Sequence, residues 1–350
     1  ASGEKTGAFT AGTYTASAKG MGGDVTVEVV VTADKIESVT VTKQSETVGV
    51  ADGALDKIPA AIVEAQGLKI DAVSGATVTS TAILAAVTDC LTQAGGDIET
   101  LKEKGLDGAV ASDETLEADV VVIGSGMAGL SAAVTAAQAG AKVILLEKMG
   151  SVGGASITCG GEILAAGTDA QKAQGIEDTP ADLAKKFIDA GEGHVNEEML
   201  TFIANHSADT VEWLKAQGVA SGKVTFSYND PTQSPLRNHK AADGSGAGFI
   251  LPLKEAAEKA GVEIRLETKA VSLINEGGVI KGVVAENGGR TVTVMAPSTI
   301  LATGGFANNA ELVAEYCPNL GTSGTFLGET HNGDGLIMAR DVGAKIVAGG

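Results

Sequence analysis

Little in this chain can bind a metal or form a disulfide framework. Its 350 residues include three cysteines and four histidines. Cys90, Cys159 and Cys317 stand alone, which excludes a C-x-x-C dithiol or zinc knuckle and a C-x-x-C-H haem attachment. His194, His206, His239 and His331 show no metal-ligand spacing such as H-E-x-x-H. No apolar run approaches the ~20 residues a membrane helix needs. Basic residues are outnumbered 25 to 44, for a net charge of −19, which would repel a phosphate backbone and argues against a nucleic-acid partner. Aromatics make up only 3%.

Glycine is plentiful, with 48 residues and no G-X-Y period. That pattern points to many turns and close backbone approaches rather than a fibre. The length fits two or three domains. The chain starts at Ala1 without Met, which suggests an N-terminal segment removed by processing or cloning.

Residues 10–50 alternate in period two. Val25, Val27 and Val29 share a face, and Ile36, Val39 and Val41 follow a turn at Ala33-Asp34-Lys35, which predicts an antiparallel meander. Pro59 is placed to open a helix through Ala65, and Thr79–Gln93 to form a second that stops at Gly95-Gly96. Residues 1–94 are thus expected to form a small α+β domain and 95–116 a polar linker, with one helical turn at most. From Glu117 the pattern changes. Asp119–Ile123 and Lys142–Glu147 are buried strands around an Ala-rich helix, a βαβ unit. Helices near 180–191 and 197–217, a strand at Val262–Leu266, a meander at 279–295 and a strand ending in Thr303-Gly304-Gly305 complete residues 117–350.

The βαβ turn reads Gly124-Ser125-Gly126-Met127-Ala128-Gly129. Gly124 allows the tight turn, Gly126 lets the backbone approach a pyrophosphate, and Gly129 brings helix and strand together. The helix N-terminus offers N–H groups and about half a positive charge to phosphate. Glu147 ends the second strand, eighteen residues after Gly129, where a carboxylate can accept from both ribose hydroxyls and repel a 2′-phosphate. The bland alternative is a structural turn with a surface Glu. The residues beyond Glu147 favour FAD over NAD. A second Gly-rich stretch, Gly153-Gly154-Ala155-Ser156 and then Gly160-Gly161, would let a longer cofactor run past.

With these parts in place, residues 117–350 resemble the soluble fumarate reductase, flavocytochrome c and urocanate reductase family. VVVIGSGMAGLSAA, LLEK, VGG, TILATGGFANN and GDGLIMA carry the likeness. The resemblance implies a Rossmann-like FAD domain of the two-dinucleotide-binding type, with the start of further substrate or capping elements. It places Ala128, Glu147, Lys148, Ala155, Ser156, Gly161, Ala270, Thr303, Gly304 and Asp334 by a non-covalently held FAD. The family often has Asn where this chain has Ala155, so any side-chain hydrogen bond from that position is lost. The family's His-Pro-Thr segment and arginine proton donor are not found before Gly350. The catalytic residues are therefore expected beyond it, and the chain reads as the N-terminal part of a longer enzyme.

Upstream, DAVSGATVTS resembles the acceptor motif of covalent FMN-binding domains, in which a flavin transferase esterifies the last Thr of S-G-A-T. Carried over, Thr77 bears the FMN, next to Ser74, Gly75 and Ala76. Glu46-Thr47 also recurs in such domains. Gly75 and Ala76 leave room for a bulky donor, and a helix start behind Thr77 could hold the phosphate. Alternatively Ser74, Thr77 and Thr79 cap that helix. Thr79 is the nearest competing hydroxyl.

Together these readings give an α/β and α+β multidomain fold and a flavin-dependent oxidoreductase. Electrons would pass from FMN to FAD and then, as hydride, to the activated C=C bond of a small unsaturated carboxylate. The alternatives are a dehydrogenase running oxidatively and a non-catalytic two-flavin electron-transfer module. By the same resemblance, the partners are an external electron donor and a flavin transferase. The location is extracytoplasmic, either periplasmic or as a lipoprotein whose anchor precedes Ala1. His239, in a loop after Pro231 and Pro235, is either a base or a loop His satisfied by backbone, and His331 is equally open. Cys159 reads as small packing, and Trp213 and Leu214, on a stripe with Ile203 and Val211, as core.

Overall fold

A computed structural model describes residues 7–106, 112–225, 235–320 and 330–346. It opens with the meander, β1 (Gly12–Lys19), β2 (Asp24–Val31) and β3 (Ile36–Lys43), all antiparallel. Val29 lies opposite Tyr14 on one side and Val39 on the other. The period-two pattern turns Val25, Val27, Val29 and Val31 to one face, where all are buried. Two helices, α1 (Asp52–Ala65) and α2 (Thr77–Gln93), contribute the other half of this core. α2 supplies Ile83, Ala86, Val87, Cys90 and Leu91, at helical spacing.

α1 corrects the sequence reading, since it starts at Asp52 and Pro59 sits inside it. A mid-helix proline removes a hydrogen bond and costs about 3 kcal/mol. Here a continuous buried stripe of Ala54, Ile58 and Ile62 runs through it and favours the longer helix. The stretch predicted as a linker carries α3 (Ile98–Glu103), capped by Asp97 onto the Thr100 amide, and β4 (Glu114–Glu117). Residues 107–111 of that stretch lie outside the described residues.

Next come β5 (Val120–Ile123), α4 (Met127–Gln138) and β6 (Val143–Leu146), the expected βαβ unit. α5 (Gly154–Thr158), β7 (Glu162–Leu164), α6 (Asp169–Ala173), α7 (Pro180–Ala190) and α8 (Glu197–Ala216) follow. Then come β8 (Ser221–Thr225), β9 (Asn238–Ala241), α9 (Ala247–Lys259) and β10 (Glu263–Arg265). The chain continues through β11 (Lys269–Glu276), β12 (Val279–Asn287), β13 (Arg290–Met295) and β14 (Ser298–Leu301). The last helices are α10 (Ala310–Tyr316) and α11 (Asp334–Asp341). β5, β6, β10 and β14 form one parallel sheet in the order β10-β6-β5-β14. Val121, Val122, Ile144 and Leu145 are fully buried in it, as a strand covered on both faces requires. A second sheet, β11-β12-β13-β4, covers one face and shares a core with it, while β7-β9-β8 forms a separate three-stranded sheet.

On α8, Val211 and Leu214 are buried as predicted, but Ile203 is 48% exposed and Trp213 only partly buried, so the proposed stripe is half core. Cys159 is exposed rather than packed.

Candidate functional sites: a cleft at the parallel sheet and an exposed threonine

The carboxyl ends of β5, β6 and β14 open onto a cleft of about 530 Å³, the size of a cofactor site and the position expected of ligands in open parallel sheets. Gly124, with φ at +101°, makes the strand-to-helix turn, and a Cβ there would meet the Ala302 carbonyl oxygen at 2.4 Å. At Gly129 a Cβ would lie 1.8 Å from the Gly124 carbonyl oxygen. That glycine therefore acts from behind the cleft, by letting α4 lie on the strand. Gly126 lines the cleft and is the N-cap of α4 without a side-chain hydrogen bond. The first helical amide, on Met127, donates to Ser156 Oγ at 3.2 Å.

Glu147 is 5% exposed and organises the turns around it. Its Oε2 accepts from the Ser125 amide at 3.0 Å and from the Ser125 hydroxyl at 2.5 Å, and its Oε1 accepts from the Met149 amide at 2.8 Å. Ser125 also receives the Gly153 amide on its hydroxyl at 3.1 Å. The Gly-x-Gly turn, the strand-end carboxylate and the second Gly-rich stretch are thus one hydrogen-bonded unit. Lys148 and Asp334, both lining the cleft, pair at 2.6 Å.

Of the residues expected around the dinucleotide, Gly124, Gly126, Ala128, Glu147, Lys148, Gly154, Ala155, Ser156, Ala270, Thr303, Gly304 and Asp334 all line this cleft. Gly129, Gly153, Gly160 and Gly161 do not. Gly153, with φ at +114°, packs under Ile157, and Gly161 lies so close to the Ser245 carbonyl that a Cβ would sit 2.2 Å from its oxygen. Gly153 makes room for the Ile157 and Ile250 side chains, and Gly161 for the Ser245 backbone. Ser125, Met127, Thr268 and Lys269, none of them among the residues expected from the sequence, also line the cleft. Ser125 could have been found as the first variable position of the glycine motif. Thr268 and Lys269 come from a distant strand entry and carry no local signal.

His331 lines the cleft, and its Cδ2 lies 3.2 Å from where a Gly304 Cβ would stand. His239 does not. It is buried in β9, with Nε2 2.7 Å from Thr168 Oγ1 and Nδ1 2.9 Å from the Arg237 carbonyl. Burial pushes its pKa below the usual histidine value. The loop position near a flavin is therefore corrected to a core strand; Pro231 lies outside the described residues.

At the first domain, Thr77 is the first residue of α2 and is exposed. No side chain caps this helix, so Ser74, Thr77 and Thr79 are not N-caps. Thr79 is buried and donates its hydroxyl to Glu46 Oε2. Ser80 is buried too, accepting from the Val73 amide at 3.1 Å and donating to the Ala76 carbonyl at 2.9 Å. Thr77 is the hydroxyl of this turn that is left to solvent. Glu46 also accepts from the Gly22 and Met21 amides, at 2.8 and 3.2 Å. Burial raises its pKa, but the Thr79 hydroxyl and the Gly22, Met21 and Gly23 amides outweigh that, and the net direction is down.

The cleft suits a dinucleotide on its own geometry. At Gly126 a Cβ would approach Ser156 Oγ at 3.5 Å, and at Gly154 it would meet nothing within 4 Å, so both glycines keep open the space a diphosphate needs. Among the described residues no cluster could hold a metal ion, and no helix is long and apolar enough to cross a membrane.

A strand-turn-helix cleft of dinucleotide-binding geometry and, in the domain before it, an exposed threonine at a helix start define a two-site, flavin-type α/β protein. The FAD binding domain family matches residues 119–349 and the FMN-binding domain family residues 20–92. The chain belongs to the FAD binding domain family and carries an FMN-binding domain ahead of it. It is 34% identical over 342 residues to a urocanate reductase of Eggerthella lenta, covering 95% of this chain and 56% of that protein. A flavocytochrome c3 fumarate reductase in its open conformation superimposes with a TM-score of 0.60 at 31% identity, over 68% of this chain and 42% of that one. A 3-ketosteroid-Δ4-(5α)-dehydrogenase of Rhodococcus jostii RHA1 does so with a TM-score of 0.59 at 32% identity, over 69% and 56%. The chain spans between about a third and just over half of the length of the first curated relatives it matches.

Proposed function

We propose that the protein belongs to a flavin-dependent reductase of activated C=C bonds beside a carboxylate, with FMN esterified to Thr77 and FAD held in the cleft. The flavins, when bound, supply electron storage and hydride delivery. The chain's residues bind and orient them. The N-terminus of α4 and the glycine turn face the diphosphate, Glu147 takes the ribose hydroxyls, and Thr77 provides the oxygen of the phosphoester. The observation that carries this reading is the contrast between Thr77, exposed and uncommitted, and Thr79 and Ser80, both buried and bonded. The urocanate reductase and fumarate reductase relatives point to the substrate class. The test is to denature the loaded protein and look for flavin fluorescence travelling with the chain, and then to assay it anaerobically with a reduced dye and urocanate, fumarate or acrylate. Oxidation of the dye by none of them in the complete protein would overturn the reductase reading.

A second reading, hydride removal from a saturated substrate, is favoured by the likeness to the ketosteroid dehydrogenase. Reduction of an artificial acceptor by a saturated substrate would favour it. An extracytoplasmic location rests on family resemblance and is tested by cell fractionation.

A further inference from the structure

The acceptor loop of the first domain is seated on the turn that comes after Glu147. The Gly150 amide donates to the Ser74 carbonyl at 2.8 Å, and the Ser74 hydroxyl lies 3.7 Å from Met149 Sδ. The fit is close. A Cβ on Gly150 would stand 2.2 Å from Val73 Cγ1, and one on Gly53 would stand 2.7 Å from the Gly150 carbonyl oxygen. An ion pair crosses the same junction, Lys57 to Glu267 at 2.5 Å, and the Glu267 amide donates to the Met149 carbonyl at 2.9 Å. On its other side the turn is tied to the cleft, because the Met149 amide donates to Glu147 Oε1 at 2.8 Å.

We infer that the Met149–Gly150 turn is a positioning element that couples occupancy of the dinucleotide cleft to the conformation of the acceptor loop, residues 73–77. This rests on the reading of the cleft as the FAD site and of Thr77 as the flavin acceptor. Ribose hydroxyls on Glu147 fix its carboxylate. The carboxylate fixes the Met149 amide, and the next amide along holds Ser74, three residues before Thr77. A ligand that orders the first member of such a series lowers the cost of ordering the last. The effect is reciprocal, so a flavin that settles the acceptor loop tightens FAD by the same factor. Residues 73–77 do not line the cleft, whereas Met149 does, so the turn is the connection between the two.

Hydrogen exchange on the whole chain, stripped of FAD and then reloaded, tests this. In the native sequence FAD should slow exchange at Met149–Gly150 and also across residues 73–77, the latter by about fivefold or more. In Gly150→Val, FAD should still slow exchange near Glu147 but no longer at residues 73–77. Unchanged exchange at 73–77 when the native chain binds FAD overturns the inference. Should Gly150→Val not fold, the ion pair takes its place. Lys57→Glu should weaken the FAD-dependent protection of residues 73–77, and Lys57→Glu combined with Glu267→Lys should restore it. Full protection in Lys57→Glu, or none regained in the double variant, counts against the coupling. None of these readings needs flavin on Thr77. A chain that stays without covalent flavin after exposure to a flavin transferase therefore defeats the Thr77 assignment and leaves the coupling testable, whereas absence of FAD-dependent protection even at Glu147 defeats the cleft assignment.

Discussion

The two cofactor sites are built on opposite principles. The cleft is made by absence: Gly124, Gly126, Gly129 and Gly154 withhold side chains so that backbone and ligand can approach, and one buried carboxylate, Glu147, ties the surrounding turns together. The turn proposed to accept FMN is made by elimination. Its neighbouring hydroxyls, Thr79 and Ser80, are committed to Glu46 and to the backbone, which leaves Thr77 available. A non-covalent site must recognise its ligand over many contacts, whereas a covalent one needs a single reachable oxygen. The first should therefore tolerate loss of any one polar contact, and the second should fail at one atom.

The sharpest test of that contrast is Thr77→Val. It should abolish covalent flavin altogether, with no fluorescent band on a denaturing gel, while releasable FAD stays at one per chain. Retained covalent flavin would mean that another hydroxyl is the acceptor. Gly129→Val should come next in size. Its Cβ would stand 1.8 Å from the Gly124 carbonyl oxygen, so α4 must move off the strand. Overpacking typically costs about 1–3 kcal/mol, and a clash with backbone falls at the upper end, read as a lower urea midpoint together with loss of FAD.

The sequence revealed the cleft far better than its surroundings. Glycine spacing and strand-end Glu147 reflect local geometry within one βαβ unit, and local geometry is written in adjacent residues. Thr268 and Lys269 come to the cleft from the connection between β10 and the start of β11, brought there by the pairing of β10 with β6, and nothing in their neighbours announces it. His239 misled because prolines around it resemble a loop, although a partner strand on either side makes it a sheet interior. Pro59 misled in the reverse sense: its local preference for a helix start yields to the buried stripe on which it lies.

Glu147→Gln is the intermediate case. An amide can accept on one side only, so its NH₂ group must face either the Ser125 amide or the Met149 amide, both donors. With the charge lost as well, the expected cost is about 2 kcal/mol in FAD binding, or roughly 30-fold in Kd by fluorescence titration. A weaker but still occupied cleft beside an intact Thr77 flavin would bear out the idea of distributed recognition. Complete loss of FAD would show that the cleft too depends on one group.

The smallest effect tests whether elimination is what leaves Thr77 free. Thr79→Val removes one donor to the Glu46 carboxylate while the Gly22 and Met21 amides remain, so the loss in stability should be about 1 kcal/mol at neutral pH. Because the folded pKa of Glu46 lies below its ordinary 4.5, its contribution to stability is present above that value and is lost as pH falls through the folded pKa. Without Thr79 that lowering is smaller, so the stability gap between Thr79→Val and the native chain should be widest above pH 4.5 and narrow as the pH falls through the folded pKa, as denaturation followed by circular dichroism would record. Covalent flavin on Thr77 should be unaffected. If instead Thr79→Val also loses its flavin, the buried hydroxyl takes part in building the acceptor turn, and the two sites differ less than their geometry indicates.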